Sequence, residues 1–508
     1  MDSVKKLRLI ILALALMLAA NRGSAQSTPD PQAKTLVVLF DGLRPDYITP
    51  EAMPNLHAFS KSGSYGLKHH SVFPTVTRVN SSSYSSGCYP QTHGLMGNTV
   101  YFPDINSAGG LNTGNYSDLA KISEATHGHL LTTITLGEVL SKHNQRMMVF
   151  SSGSQGQALM QNHTISGGAI VNPQLIIPES FKEDVIREVG PLPTGTADAS
   201  VHKWITDAWI KFGLATDGPL VSSIWYADPD GVAHDAGIGA PASMESIKVV
   251  DTEFGRILSE IKSRNLSDKI NIIVSADHGF ISHSGTIELG DFLISHGLKK
   301  KDSEEIVLAG NAIFVANHDP VMIRKIVSAL QAEPWIGPIF TKGKPGEQKG
   351  SVDGTLSFES IHWDHPTRAA DILVDYNWSD EKNEYGYAGK NTSAGVAGHG
   401  GLSPYEVHIA LLASGPAFKK NYTSELPTSN VDIAPTILSI HKLPVPKEMD
   451  GRVMSELLQG GKTNEKARVI ATTVTTAIPG GQYKATLQRT VIGRFSYVDK
   501  ATTIRKFK

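Results

Sequence analysis

Three aspartates and three histidines stand beside glycines where apolar stretches of the chain give out. They are Asp41 in VVLFDG, Asp230 and His234 in WYADPDGVAHDAG, Asp277 and His278 in SADHG, and His399 in AGHGG. Carboxylate oxygens and imidazole nitrogens are zinc donors, and this set suits two Zn2+ ions. Two metals roughly 4 Å apart clamp the attacking and leaving oxygens of an in-line phosphoryl displacement, and one of them lowers the pKa of a coordinated hydroxyl. The stretch Phe73–Asn98, FPTVTRVNSSSYSSGCYPQTHGLMGN, offers that hydroxyl at Thr75 or Thr77, ahead of a small-residue helix over Val79–Ser86. A helix N-terminus presents unpaired N–H groups and the positive end of the dipole, where an anion is welcome. Taken singly these signals are weak: a Thr before a helix is an ordinary N-cap, and Asp-Gly after a strand is an ordinary turn. Their coincidence at successive strand ends points to a site. His69, His70, His93, His362, His365 and His408 are set aside as ligands, with His408 read as a core or edge strand residue and His93 as a brace for its loop.

The elements that must hold these residues are legible as apolar runs. Lys34–Phe40, Arg146–Ser151, Leu220–Tyr226 and Ile270–Ser275 are continuous enough to be strands buried on both faces. Helical spacing fills the gaps at Met53–Ser62, Leu136–His143, Val201–Leu214 and Met244–Lys262. Alternation of this kind predicts an α/β fold, a doubly wound, mainly parallel sheet with helices on both faces, and such sheets gather function beyond the carboxyl ends of their strands. From about 290 to 395 the pattern loosens around a strand at Ala312–Ala316 and a helix at Val321–Leu330, which predicts an inserted lobe. A strand at Val407–Ala413 and a helix at Asp432–Ile440 follow, and the tail from 461 to 508, rich in Thr, Val and Tyr, predicts edge strands.

The chain has 508 residues, 40% hydrophobic and 19% charged, enough for a large core, and its net charge of −2 gives no support for a stable nucleic-acid partner. Lys5, Lys6 and Arg8, the apolar run Leu9–Ala20 and the small residues Gly23-Ser24-Ala25 compose a secretory signal peptide over 1–25. A polar leader over 26–33 follows. The apolar run is shorter than the roughly 20 residues a membrane span needs, so the expectation is a secreted or periplasmic protein with no transmembrane anchor after cleavage. Cys88 is the sole cysteine, which excludes an intrachain disulfide. Asn-x-Ser/Thr sequons occur at Asn115, Asn162, Asn265, Asn377, Asn391 and Asn421.

In order along the chain, FDG, FPTVTRVN, YPQTHGLMGN, DPDGVAH, SADHG and GHGG, followed by LLASGPAF and DIAPTIL…MDGRV, resemble the type I phosphodiesterase/nucleotide pyrophosphatase family of the alkaline-phosphatase superfamily. The likeness runs from about Leu36 to Gly460 and implies an alkaline-phosphatase-like catalytic domain over 34–460. It also implies residue roles. Thr77 matches the nucleophile, and this match selects it over Thr75. Asp41, Asp277 and His278 with Thr77 would hold one zinc, and Asp230, His234 and His399 the other. Asn98 would donate to a phosphate oxygen. The implied substrate is a small phosphodiester or nucleotide.

The sequence departs from the family at Arg78, where nucleotide-cleaving relatives carry a Phe that packs on the base. Arg78 is therefore read as facing either a second anionic group of the substrate or a surface carboxylate, and Trp225 and Tyr226 as either an aromatic face for the substrate or residues of the strand core. SSGSQGQ after the Arg146–Ser151 strand lacks the Lys-x-Arg pair of monoesterase relatives, which favours diesters. Phosphonate, phospholipid and phosphomonoester hydrolysis use the same centre and are the alternatives. Cys88-Tyr89-Pro90 imitates the sulfatase formylglycine signal, but Thr92 replaces its Arg and Cys88 follows the helix. The mutases with a related two-metal site use Ser and work in the cytosol, and a non-catalytic binding protein would not need nucleophile, Asn98 and all six ligands together.

Overall fold

Lys34–Phe40 (β1), Val221–Tyr226 (β6) and Ile270–Ala276 (β7) lie side by side at the centre of a sheet, and the architecture follows from burying all three on both faces. The computed structural model describes residues 33–195, 198–461 and 468–506. The signal-peptide and leader segments lie outside the described residues. Among those residues nine strands form the main sheet. The remaining six are Ser64–His70 (β2), Met147–Ser151 (β3), Ala169–Asn172 (β4), Leu175–Ile177 (β5), His408–Ser414 (β8) and Tyr422–Ser429 (β9), in the spatial order β9-β2-β8-β7-β1-β6-β3-β4-β5. β1 runs parallel to both β6 and β7. β8 is antiparallel to both of its neighbours, and β5 is antiparallel at the edge.

Alternate residues of β1 feed two separate cores. Val37 and Leu39 pack with Tyr84, Leu136, Met160 and Trp225 on one face. Leu36, Val38 and Phe40 pack with Phe59, Trp204, Val250 and Phe254 on the other. This is the helices-on-both-faces arrangement that continuous apolar strands require. The helix Pro241–Ser263, longer than its sequence pattern indicates, covers the second face. Val201–Leu214 is not one regular helix: Ala199–Ala208 is α-helical and Trp209–Gly213 widens to a π turn.

Between the helix Leu289–Ser295 and β8 the chain builds a five-stranded sheet with its own core of Leu293, Ile313, Ile326, Leu330, Ile336 and Ile372. A four-stranded sheet joins Ile281–Gly285, which precedes that helix, to Trp378–Lys382, Ala388–Ala394 and Ala397–Gly398, the last of which leads directly to His399. The tail forms a three-stranded antiparallel sheet, Val469–Ala477, Tyr483–Ile492 and Phe495–Arg505. No helix among the described residues is long and apolar enough to cross a membrane.

Candidate active site

Asp41, Asp230 and Asp277 leave the carboxyl ends of β1, β6 and β7, so neighbouring parallel strands deliver the three carboxylates to one spot. Backbone ties fix them there. The Gly42 amide donates to Asp277 Oδ1 (3.0 Å), and the Asp230 amide donates to the Asp41 carbonyl (3.1 Å). Gly42 has φ +72°, and a Cβ on it would lie 3.0 Å from the Phe280 ring and 3.1 Å from Asp230 Cβ, so this turn needs glycine. Asp230 and His234 sit on a short helix, Asp230–Ala236 (α2), and not in the loop that Pro229 and Gly231 suggest; their i,i+4 spacing aligns both side chains on one face.

Each aspartate keeps one buried oxygen without a hydrogen-bond partner: Asp41 Oδ1, Asp230 Oδ1 and Asp277 Oδ2. The three histidines show the complementary feature. Nδ1 of His234 lies 3.1 Å from the Ala397 carbonyl, Nδ1 of His278 lies 2.9 Å from the Gly279 carbonyl, and Nδ1 of His399 lies 2.8 Å from the Thr75 carbonyl. A carbonyl only accepts, so each Nδ1 carries a proton and each Nε2 is turned to the carboxylates. Those nitrogens face the orphan oxygens: His399 Nε2 and His234 Nε2 lie 3.2 and 3.3 Å from Asp230 Oδ1, and His278 Nε2 lies 3.0 Å from Asp277 Oδ2 and 3.5 Å from Asp41 Oδ1. Burial lowers the pKa of His234 and His278, and the facing Asp230 and Asp277 outweigh it and raise both. Imidazoles held by a carbonyl at Nδ1 with Nε2 converging on carboxylates is the arrangement metal ligands adopt around an ion. Burial pushes the Asp41 carboxyl well up, and Asp277 and Asp230 add to it, as negative charges crowded without a cation must. Burial likewise holds His399 neutral, its pKa lowered to about 4. Two sets of three ligand atoms result, Asp41/Asp277/His278 and Asp230/His234/His399, with the atoms of each set within 4.8 Å of one another. The His278 and His399 rings stack across the sets with centroids 3.5 Å apart.

Thr77 is the first residue of the helix Thr77–Ser86 (α1); the N-cap is Val76, which makes no side-chain cap, so the Thr77 hydroxyl is not consumed as an N-cap. Its Oγ1 lies 3.3 Å from His278 Nε2. α1 survives a Ser-rich sequence because the hydroxyls of Ser81, Ser82 and Ser86 bond back to carbonyls four residues earlier, which lets a polar helix bury completely. Asn98 Oδ1 accepts from the Arg78 amide at 3.0 Å, which fixes its amide beside the helix start. Arg78 Nε is buried with no hydrogen-bond partner. Burial lowers the Arg78 pKa, and Asp41, Asp230 and Asp277 oppose that shift.

Trp225 and Tyr226 differ from the expectation of a ligand-facing aromatic surface. Both are wholly buried because β6 is covered on both faces. Trp225 Nε1 donates to Asp41 Oδ2 at 3.0 Å, and the Tyr226 hydroxyl pairs with Thr206 at 2.8 Å on the far side of the sheet. Cys88 is buried beyond the other end of α1, its thiol pushed up to about 12 by burial, far from any nucleophilic role. His93 does brace its loop, between Ser83 Oγ (3.0 Å) and the Leu95 amide (3.0 Å).

Several positioning residues escape sequence reading. Thr75 Oγ1 donates to the Gly401 carbonyl and accepts from the Gly400 amide, so it clips the His399 loop to α1. Glu406 accepts from the Gly401 amide and Ser403, and Asp375 accepts from the Leu402 amide. Asp228 accepts from the Val232 amide in α2 and from His202 Nε2 (2.9 Å). The Ser403-x-x-Glu406 spacing is a helix-start signal that could have revealed Glu406; Asp375 carries no such signal.

Two groups of candidate metal ligands beyond the carboxyl ends of a parallel sheet, with a hydroxyl on an adjoining helix, fit an alkaline-phosphatase-like protein. An alkaline phosphatase PafA variant superposes with a TM-score of 0.64, at 15% identity, covering 85% of this chain and 100% of that one. Murine ectonucleotide pyrophosphatase/phosphodiesterase 5 superposes with a TM-score of 0.58 at 21% identity, covering 84% of this chain and all of that one. The profile of the family described as type I phosphodiesterase / nucleotide pyrophosphatase matches residues 35–378, and the chain belongs to that family. Among its relatives are the bis(5'-adenosyl)-triphosphatase enpp4 of Xenopus laevis, 25% identical over 85% of this chain and 83% of that protein, and human ectonucleotide pyrophosphatase/phosphodiesterase family member 5, 24% identical over 84% and 78%.

Proposed function

We propose that the protein is an exported, metal-dependent hydrolase of phosphodiester or pyrophosphate bonds, acting through a phosphothreonine on Thr77. One observation carries the reading: three buried carboxylate oxygens without hydrogen-bond partners converge with three Nε2 atoms, beside a hydroxyl at a buried helix N-terminus. The donor set is that of zinc. Asp41, Asp277, His278 and Thr77 would hold one Zn2+, and Asp230, His234 and His399 a second. Such ions supply positive charge that lowers the pKa of a hydroxyl and neutralises oxygens of the phosphoryl group. Family membership and relatives named as triphosphatases and phosphodiesterases support the reaction class, as does an inactive variant of the murine protein in complex with AMP.

Thr77 Oγ attacks phosphorus in line, the bond to the leaving oxygen breaks with its electron pair, and the phosphoryl group remains on Thr77. The α1 amides and the Asn98 amide group stabilise its oxygens. Water then attacks the same phosphorus, the bond to Oγ breaks, and two inversions give net retention. Solvent reaches the cluster at His234, whose side chain is 43% exposed. Arg78, with its partnerless Nε, offers a cation to a second phosphate, which favours pyrophosphate-containing substrates over simple diesters. No cation stands at Ser152–Gln157, where Ser154 caps the helix Gln155–Met160 and Gln157 bonds Ser151, so the extra charge of a monoester finds no partner there.

The test uses zinc-loaded protein, bis-p-nitrophenyl phosphate, thymidine-5′ p-nitrophenyl phosphate, p-nitrophenyl phosphate and a dinucleoside triphosphate. The expected ranking places the anhydride and diesters above the monoester. Thr77→Ala should keep its metals and lose on the order of a thousandfold or more in rate, and acid-quenched wild-type protein should carry a phosphoryl group on the Thr77 peptide. Near wild-type rate in Thr77→Ala, or inversion at a chiral phosphorothioate diester, would assign the attack to water instead.

A further inference from the structure

A second kind of histidine cluster stands outside this centre. His70 ends β2, and His408, the first residue of β8, pairs directly opposite it across the antiparallel ladder. Their ring centroids are 4.9 Å apart. Asp499, on the last strand of the C-terminal sheet, reaches over both. His70 Nδ1 lies 2.9 Å from the Thr428 carbonyl, and His70 Nε2 lies 2.9 Å from Asp499 Oδ1. Both ring nitrogens thus face oxygens that only accept. The carbonyl takes one ring proton, and an ion between Nε2 and Asp499 would satisfy both of them in place of a second ring proton. This is the signature seen at His234, His278 and His399, repeated where the proposed reaction has no use for it.

The surroundings favour a bound cation. Thr490 Oγ1 donates to both Asp499 oxygens, at 3.1 and 2.9 Å, and orients the carboxylate. The Tyr497 ring stacks on His70 with centroids 5.6 Å apart and holds its plane. Burial keeps His408 neutral, its pKa lowered to about 4, so its ring nitrogen is free to ligate. Lys500, whose charge adds to the lowering of the His408 pKa by burial, has its Nζ over the Trp378 ring. Asp499 is 21% exposed, which gives an ion an approach from solvent and leaves a coordination position for water.

We infer that His70, His408 and Asp499 form a structural binding site for a divalent transition metal of the zinc type, which ties the C-terminal sheet to the β2–β8 pair of the central sheet. Two imidazoles and one carboxylate select Zn2+, Co2+ or Ni2+ over Mg2+ or Ca2+. The ligand atoms lie within 4.8 Å of one another, and bonds of about 2.0–2.1 Å would draw them closer together. Setting His70 and His408 aside from the sequence misses this because their partner is contributed some ninety residues further on by a separate sheet.

The site is separable from the catalytic centre. Full-length protein carrying Asp41→Asn, Asp230→Asn and His399→Ala should still bind one equivalent of Co2+, seen as visible d–d absorption and displaced by Zn2+. Adding His408→Ala or Asp499→Asn should abolish that signal. In the otherwise wild-type chain, His408→Ala should lower zinc content by one equivalent while diester hydrolysis is kept. Absence of Co2+ binding in the disabled chain, or a zinc content unchanged by both His408→Ala and Asp499→Asn, would overturn the inference. If the wild-type protein binds only this one equivalent, the catalytic-metal reading fails while this site stands.

Discussion

Trp225→Phe separates two roles for one side chain. The indole N–H donates to Asp41 Oδ2 at 3.0 Å inside the core, while the ring is wholly buried between Tyr84 and the β1 face. Phenylalanine keeps an aromatic ring and removes only the donor and a few ring atoms. A buried hydrogen bond to a charged group contributes about 1.5–3 kcal/mol, a factor of roughly 10–150 in an equilibrium that depends on the Asp41 carboxylate being formed and aimed. Zinc affinity, measured by competition with a calibrated chelator, should fall by that factor at the Asp41/Asp277/His278 set. The stability cost from the vacated volume should be about 1 kcal/mol, read by urea denaturation. The kcat/KM for bis-p-nitrophenyl phosphate should fall at limiting zinc and recover in large part with excess zinc. Unchanged zinc affinity together with a raised KM for a thymidine ester and an unchanged KM for the bis-ester would refute this reasoning and return the ring to the substrate.

Arg78→Ala should lower kcat/KM for a dinucleoside triphosphate by about ten- to a hundredfold and leave bis-p-nitrophenyl phosphate within a few-fold, because only the former brings a second phosphate to the guanidinium; equal losses on both would remove Arg78 from substrate selection. Thr75→Ala should cost about 1–3 kcal/mol of stability in chemical denaturation, since two loop groups lose their buried partner, with a smaller rate effect than Thr77→Ala; a stability within experimental error of wild type would refute the clip. Asp375 is pushed well up by burial and then by Glu406, and Glu406 is pushed up by burial. A raised acid binds its proton more tightly folded than unfolded, so its contribution is best below the ordinary carboxylate range and declines as pH rises through the raised values. Asp375→Asn should therefore gain stability relative to wild type between pH 4 and pH 8 in urea titrations, and a constant difference across that range would exclude the crowded pair as the cause.

Much of the frame was legible because strands buried on both faces are mostly apolar. β1, β3, β6 and β7 announced themselves as largely apolar runs, with Ser222, Ser223 and Asn271 among the buried polar exceptions, and Asp41 and Asp277 sit where such runs end. α2 was not legible as a helix, because Pro229 and Gly231 read as turn residues, although Asp230 and His234 at i,i+4 held the clue. Tyr226 misled for a related reason: a strand covered on both faces hides aromatics whichever way they point. The four-stranded sheet that delivers His399 was missed because Trp378–Lys382 and Ala388–Ala394 are short, polar and half exposed, without an apolar period. Asp375 could not be found at all, since a buried carboxylate and a solvated one are the same letter.

Asp41 and Asp277 leave adjacent strands at matching heights, Phe40 being in register with Ala276. Hydrogen bonding sets adjacent strands about 4.8 Å apart, whatever side chains they carry. The sheet is therefore a ruler for the interval between these two carboxylates, while Asp230 is placed by the turn after Tyr226 and by α2. Slipping one strand by a single residue would displace its carboxylate by about 3.3 Å and turn it to the opposite face, so intermediate spacings are not on offer. Substitutions at Arg78 or in the surrounding loops can change what the site accepts, while the interval between Asp41 and Asp277 stays that of the backbone itself.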